Sequence, residues 1–313
     1  MKLETTLSKS IRTTGQNADY DAACKRLLSE KIVLAWIMKN CLEEYRYCSI
    51  NEIMDKYIEG EPQIAEVPVA PDETNFREAS MIKGTQDEDK SMTEGTITYD
   101  IRFFATAPKS GELIRLIINV EAQNDFYPGY PLIKRGIYYC SRMISAQYGT
   151  EFSASNYGAI KKVYSIWICM NPPKYKENTI TEYSVTEKYL VGHAEENIEN
   201  YDLLSAIMIC LGGPEGKNYT GILKLLDVLL SSNKTPDEKK EILHNDFDIE
   251  MTANLEREVS LMCNLSQGVV DRTLLDAIRS LMETMKFSAA QAMTALKIPE
   301  AEQSKYVSML KNK

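Results

Sequence analysis

The sequence predicts an α/β fold: a mixed β-sheet flanked by helices, followed by a C-terminal helical region. Three observations predict it. Thr96–Ala105, TITYDIRFFA, alternates Ile97, Tyr99, Ile101 and Phe103 with Thr98, Asp100 and Arg102, the period of a half-buried strand. Lys161–Met170, KKVYSIWICM, is a short apolar run of the kind found in a strand covered on both faces. Around and after these strands, apolar residues recur at helical spacing. With 313 residues, 44% of them hydrophobic, the chain has ample material for a full core.

The elements follow in order. Residues 20–45 read as a helix, with Leu27, Leu28, Val33 (or Ile32), Trp36, Ile37 and Leu42 recurring at helical spacing. Ser49 and Glu52 fit a capping box that opens a second short helix reaching Ile58. A polar stretch from Glu59 to Glu94 predicts one strand near Ile64–Val69 and a mobile loop at Thr85–Lys90. The Thr96–Ala105 strand turns at Pro108-Lys109-Ser110-Gly111 into Glu112–Ala122, ELIRLIINVEA, so the two form a hairpin. One face of the second strand buries Ile114, Leu116, Ile118 and Val120, and the other carries Ile117, Asn119, Glu121 and Gln123. A turn at Tyr127–Tyr130 leads into a helix over Pro131–Tyr148. Ile180–Val185 adds an edge strand. From Tyr201 onward the spacing predicts helices, with Leu274, Ile278, Leu281 and Met285 on one face, a capping box at Ser288 and Gln291, and a last helix opened by Pro299. The GGPEGKNYTG loop divides residues 1–219 from a helical region over 220–313.

Composition narrows the function classes. Only His193 and His244 are present, both in acidic, polar stretches, so triad and multi-histidine zinc chemistries have little to work with and carboxylates are the expected reactive groups. Seven scattered Cys without a CxxC pair suit a reducing compartment. The N-terminus lacks the apolar stretch of a secretory signal and no run approaches the ~20 residues of a membrane span, so a cytoplasmic protein without a membrane partner is expected. Net charge is −9, yet Asp100–Lys176 holds ten Lys and Arg against five acids. A basic middle in an acidic chain can attract phosphate backbones; ordinary surface variation accounts for it about as well. Asp237–Glu258, with eight acids against three bases, reads as a solvated helical face.

Asp100 and Glu121 are the central pair. Glu121 and Gln123 project from one face of their strand, and the hairpin brings Asp100 beside Glu121. Two carboxylates within an apolar sheet call for a counter-charge. Mg²⁺ supplies one with oxygen ligands, here Asp100, Glu121 and the Ala122 carbonyl, with Mn²⁺ as a substitute. Such a metal polarises a phosphoryl oxygen and activates water, which the Gln123 amide can orient. On spacing alone, an ion pair of Asp100 with Arg102 or Arg115 is the favoured account.

YDIRF, then IINVEAQ, then a helix carrying Arg135 and Tyr139, resembles the PD-(D/E)xK nuclease superfamily. The closer resemblance is to its recombination-promoting and transposase-associated nucleases, in which E-x-Q replaces E-x-K and the next helix bears an Arg and, four residues on, a Tyr. The similarity spans about residues 20–210. It implies a restriction-endonuclease-like sheet and a metal-dependent DNA endonuclease, linked to recombination or transposition, with Asp100 and Glu121 as ligands. Arg135 and Tyr139 then contact substrate, a guanidinium being suited to bidentate phosphate bonds.

Gln123 stands where the wider superfamily places Lys. Lys31, Lys134 or Arg135 are the candidates for the missing positive charge, and Glu30 for a further acid on the first helix. Arg135 also has a structural alternative, a salt bridge to Asp125 or Glu121, and Tyr139 another as a packed ring. The tyrosines at 127, 130, 138 and 148 read as packing rather than base-stacking residues. Gln123 and the acidic net charge keep a second class open: a catalytically inactive nuclease fold that binds nucleic acid or a protein. A homodimer through the helical tail is compatible with either.

Overall fold

The computed structural model describes residues 20–64, 100–109, 112–123, 126–231 and 234–311. The predicted loop at Thr85–Lys90, residues 65–69 of the predicted first strand, Thr96–Tyr99 and the Ser110-Gly111 turn lie outside them, as do the side chains of Ile114, Leu116, Ile117 and Asn119. The chain is α/β, built on a six-stranded mixed sheet. Strands β1 (Ile58–Ile64), β2 (Ile101–Lys109) and β3 (Glu112–Gln123) form an antiparallel meander. Strand β4 (Val163–Cys169) joins β3 in parallel, and β6 (Leu204–Cys210) joins β4 in parallel. Strand β5 (Thr179–Ser184) closes the edge antiparallel to β6, giving the order β1-β2-β3-β4-β6-β5.

The helix expected over 20–45 is two helices, α1 (20–28) and α2 (Lys31–Cys41). The break has a local cause. The Ser29 hydroxyl donates to the Arg26 carbonyl at 2.7 Å, and Glu30, with ψ 126°, leaves the helical region before α2 begins. The Ser49–Glu52 capping box is present on α3 (Ile50–Glu52), which runs on as a π-helical turn over Ile53–Tyr57. Strand β1 starts at Ile58, earlier than the sequence suggests.

Helix α4 (Leu132–Ser145) links β3 to β4 and lies on one sheet face. Its Leu132, Tyr139, Cys140 and Met143 pack with Val163, Trp167, Ala206 and Met208. The opposite face buries Ile118, Val120, Ile166 and Ile207. There the Tyr164 hydroxyl donates to the Glu44 carboxylate at 2.8 Å, tying the segment after α2 to the sheet.

Two expectations need correction. Residues from Tyr201 are not uniformly helical, because Leu204–Cys210 is β6 in the interior of the sheet. Its run LSAIMIC is too short for periodicity to separate a buried strand from a buried helix. On the long helix α7 (Ala253–Thr284), Leu275 and Ile278 are buried, whereas Met285 follows the helix end and is 60% exposed, so the apolar stripe stops before it.

The chain divides into two compact units. Cys24–Leu229 forms one; the other holds the described residues 20–23 and those from Leu230 onward. Helix α5 (Gly221–Leu230) thus falls almost wholly with the sheet, one helix beyond the GGPEGKNYTG loop. The second unit comprises α6 (Pro236–Phe247), α7, α8 (Ala289–Ala295) and α9 (Glu300–Lys311). Ile278, Met293, Ile298 and Tyr306 centre one of its apolar clusters, and capping boxes at Thr235 and Ser288 open α6 and α8. No helix among the described residues is long and apolar enough to cross a membrane.

Candidate active site

The hairpin register brings the acids together. Lys109 pairs with Glu112 across a two-residue connection and Ile101 with Val120, so Asp100 comes opposite Glu121. Each acid bonds the other's strand. The Asp100 amide donates to Glu121 Oε1 at 3.0 Å, and the Ala122 amide donates to Asp100 Oδ2 at 3.1 Å. Glu121 is only 4% exposed. Each carboxylate is therefore seated on the other's strand at the point where β2 enters the sheet.

A cation already pairs with Asp100. Lys25 Nζ, from α1, lies 3.0 Å from Asp100 Oδ1, both side chains being about four-fifths buried. None of the lysines proposed from sequence takes this place: Lys31 pairs with Glu61 at 3.0 Å, and Lys134 is exposed on α4. Glu30 stands between α1 and α2, where its carbonyl accepts from the Val33 and Leu34 amides. Gln123 is two residues beyond Glu121 on the same strand face and half-buried, and its carbonyl accepts from the Met170 amide on the β4 side. Carbonyls alternate along a strand, so that of Ala122 faces the β2 side, where its own amide reaches Asp100.

Helix α4 supplies the rest. Arg135 and Tyr139, one turn apart, point to the same face. Arg135 Nε and Nη2 donate to the Tyr139 hydroxyl at 3.0 and 2.6 Å, and Nη1 donates to the Tyr130 hydroxyl at 3.3 Å. The guanidinium lies 5.2 Å from the centre of the Trp167 ring. Trp167 is paired with Glu121 in the parallel register, and its indole donates to Ser165 Oγ at 2.9 Å. Among the described residues Arg135 thus bonds two phenols; Asp125, one partner considered for a salt bridge, lies outside them. Burial works against the guanidinium charge, but the Tyr139 hydroxyl it bonds, the Tyr130 phenol and the nearby Glu121 carboxylate outweigh it and raise its pKa. Burial first, then the neighbouring Glu121 charge, pushes Tyr139 up to about 12. Tyr139 is therefore a neutral hydroxyl at physiological pH.

Sequence reasoning missed Lys25, Trp167 and the Tyr130 bond to Arg135. Lys25 carries no pattern that links it to a distant strand. Trp167 was legible only as core, although parallel pairing of β3 with the Lys161–Met170 run would have set it beside Glu121.

No protein-family model, curated protein or solved structure matches this chain.

What the arrangement can do follows from its charges. Asp100, Glu121, Lys25 and Arg135 balance formally, with the anions on the sheet and the cations on two helices. Among the described residues no group of three or more His, Cys, Asp and Glu side chains converges as a metal site. Two carboxylates and an adjacent main-chain carbonyl nonetheless form an all-oxygen donor set, which suits Mg²⁺ with water filling the remaining positions.

Proposed function

We propose that this chain is a Mg²⁺-dependent endonuclease that hydrolyses DNA phosphodiester bonds. The observation that carries this reading is the reciprocal bonding of Asp100 and Glu121 across the β2–β3 pair, with Arg135 and Tyr139 projecting from the helix that follows. The order of helices, antiparallel meander, crossover helix and parallel strand also supports a restriction-endonuclease-like core. Asp100, Glu121 and the Ala122 carbonyl hold the metal, with Mn²⁺ able to replace Mg²⁺. Bound there, the ion supplies Lewis-acid polarisation of a phosphoryl oxygen and a more acidic water.

The protein's own groups do the positioning. Gln123 offers an amide that both donates and accepts, which orients a water or a phosphate oxygen without adding charge. Arg135 presents a guanidinium whose orientation is fixed by two phenols, so a phosphate meets it with little further loss of side-chain freedom. Tyr139 holds Arg135 and keeps its proton beside Glu121. Lys25 takes part of the load that a lysine in place of Gln123 would carry, since its ammonium pairs with Asp100.

Nicking of supercoiled plasmid tests the reading. Cleavage is expected with Mg²⁺ or Mn²⁺, is lost in EDTA, and is lost in Asp100→Ala and Glu121→Ala. Cleavage that survives both substitutions removes this site from consideration.

A further inference from the structure

Between the start of α4 and strands β5 and β6 lies a cleft of about 450 Å³ whose walls are largely aromatic. Phe126, Tyr127, Tyr130, Tyr175 and Lys176 surround it, and Met208 contributes to its floor. Its size falls within the range of small-molecule sites. Three of these rings are turned to solvent: Tyr127 is 62% exposed, Tyr130 42% and Tyr175 76%. Large rings held in the open at a concave site are more informative than scattered surface hydrophobics, because each keeps apolar area in water. The Lys176 ammonium lies 5.7 Å from the Phe126 ring centre and 5.9 Å from that of Tyr175. The mouth therefore joins flat π-faces to a positive charge.

Tyr130 links the cleft to Arg135. Tyr130 lines it and also accepts the Arg135 Nη1 hydrogen bond at 3.3 Å. A strand whose phosphate sits at Arg135 has its next base close to Tyr130.

We infer that this cleft receives one unstacked nucleobase of the substrate strand, held between tyrosine faces, with Lys176 drawing in the adjoining phosphate. The inference rests on the reading of the chain as a DNA-acting protein and adds the part of the substrate it grips. Bases have flat π-faces that stack on aromatic side chains whatever their sequence, and a cation beside the stack serves the backbone. A duplex base has to leave its stack to enter, so a single strand or a distorted duplex binds more tightly than a regular helix.

Fluorescence of a short single-stranded DNA carrying one 2-aminopurine tests this, using the full chain in EDTA so that no strand is cut. Binding is expected to quench the probe. Tyr175→Ala is expected to abolish the quench and weaken binding about tenfold or more, whereas Tyr175→Phe, which keeps the ring, retains both. Because Tyr175 is exposed, loss of folding does not confuse the result, and circular dichroism checks it. Absence of quenching in the parent chain, or an unchanged quench and affinity in Tyr175→Ala, overturns the inference. Displacement of the strand by a free deoxynucleoside monophosphate at equal concentration overturns its assignment to a polynucleotide. Failure of plasmid nicking with the quench intact removes only the cleavage reading, and nicking without the quench removes only the base cleft.

Discussion

The Lys25 ammonium rests 3.0 Å from Asp100 Oδ1, so the acid pair of the sheet is neutralised in part by a side chain from the first helix. A divalent cation bound between Asp100 and Glu121 has to share or displace that contact. Lys25→Met is therefore expected to act in opposite directions on two measurements. Without metal, urea unfolding should show a loss of about 1 kcal/mol, because a partly shielded ion pair disappears and its acids stay close together. Calorimetry should show tighter Mn²⁺ binding, since a competing positive charge is gone. Weaker Mn²⁺ binding would mean that Lys25 organises the acids rather than competing for them.

Tyr139 is the next point of leverage, because both Arg135 Nε and Nη2 donate to its oxygen. Tyr139→Phe keeps the ring in the α4 core and removes the hydroxyl that accepts both bonds. The half-buried guanidinium then loses its best partner, at a cost of about 1.5–3 kcal/mol for hydrogen bonds to a charged group. Thermal unfolding should register the loss, and plasmid nicking should slow as Arg135 loses its fixed orientation. Arg135→Lys should not substitute, because an ammonium cannot offer the same planar fork to phenol and phosphate together.

How much of this was legible in the sequence depends on the distance over which each contact acts. The Asp100–Glu121 pairing was legible from alternation on both strands and the hairpin between them. The connection is two residues long rather than the four-residue turn expected, because Pro108 and Lys109 belong to β2. Arg135 and Tyr139 were legible as a helical i, i+4 pair, and the capping boxes at Ser49 and Ser288 as local patterns. Leu204–Cys210 was not, because a seven-residue apolar run carries no period that separates strand from helix. It becomes a strand by adding to β4, a tertiary event. Lys25 was illegible for the same reason: nothing local to α1 encodes the strand it reaches. The break at Ser29 lay between, a serine whose bond back to Arg26 was visible only once the chain had folded.

Gly136 sets how closely α4 approaches the sheet. A Cβ placed there would come 3.1 Å from Trp167 Nε1 and 3.4 Å from Met208 Cε. The indole has little room to yield, being fully buried and bonded to Ser165. Gly136→Val is expected to destabilise the protein by about 1–3 kcal/mol through overpacking, against which the helix-propensity difference between Gly and Val is small. Urea unfolding measures the loss. Nicking should fall further than stability explains, because Arg135 and Tyr139 ride on the displaced helix.

Alkaline pH should weaken the fold through two tyrosines, one in each compact unit. Tyr139 is pushed up to about 12 by burial and then by the Glu121 charge; Tyr306 is pushed up to about 12 by burial and then by its bond to Asp271, at 3.0 Å. The unfolded chain releases these protons near the ordinary tyrosine value of about 10. Between about pH 10 and 12 the folded protein therefore binds more protons than the unfolded one, and stability falls as pH rises. Below about 10 the contribution is fully present, and above about 12 it is spent. Urea midpoints measured from pH 9 to 11.5 should drop more steeply in the parent chain than in the Tyr139→Phe, Tyr306→Phe double variant, whose phenyl rings have no proton to release. Equal slopes in the two proteins would show that neither phenol is held in its protonated form by the fold.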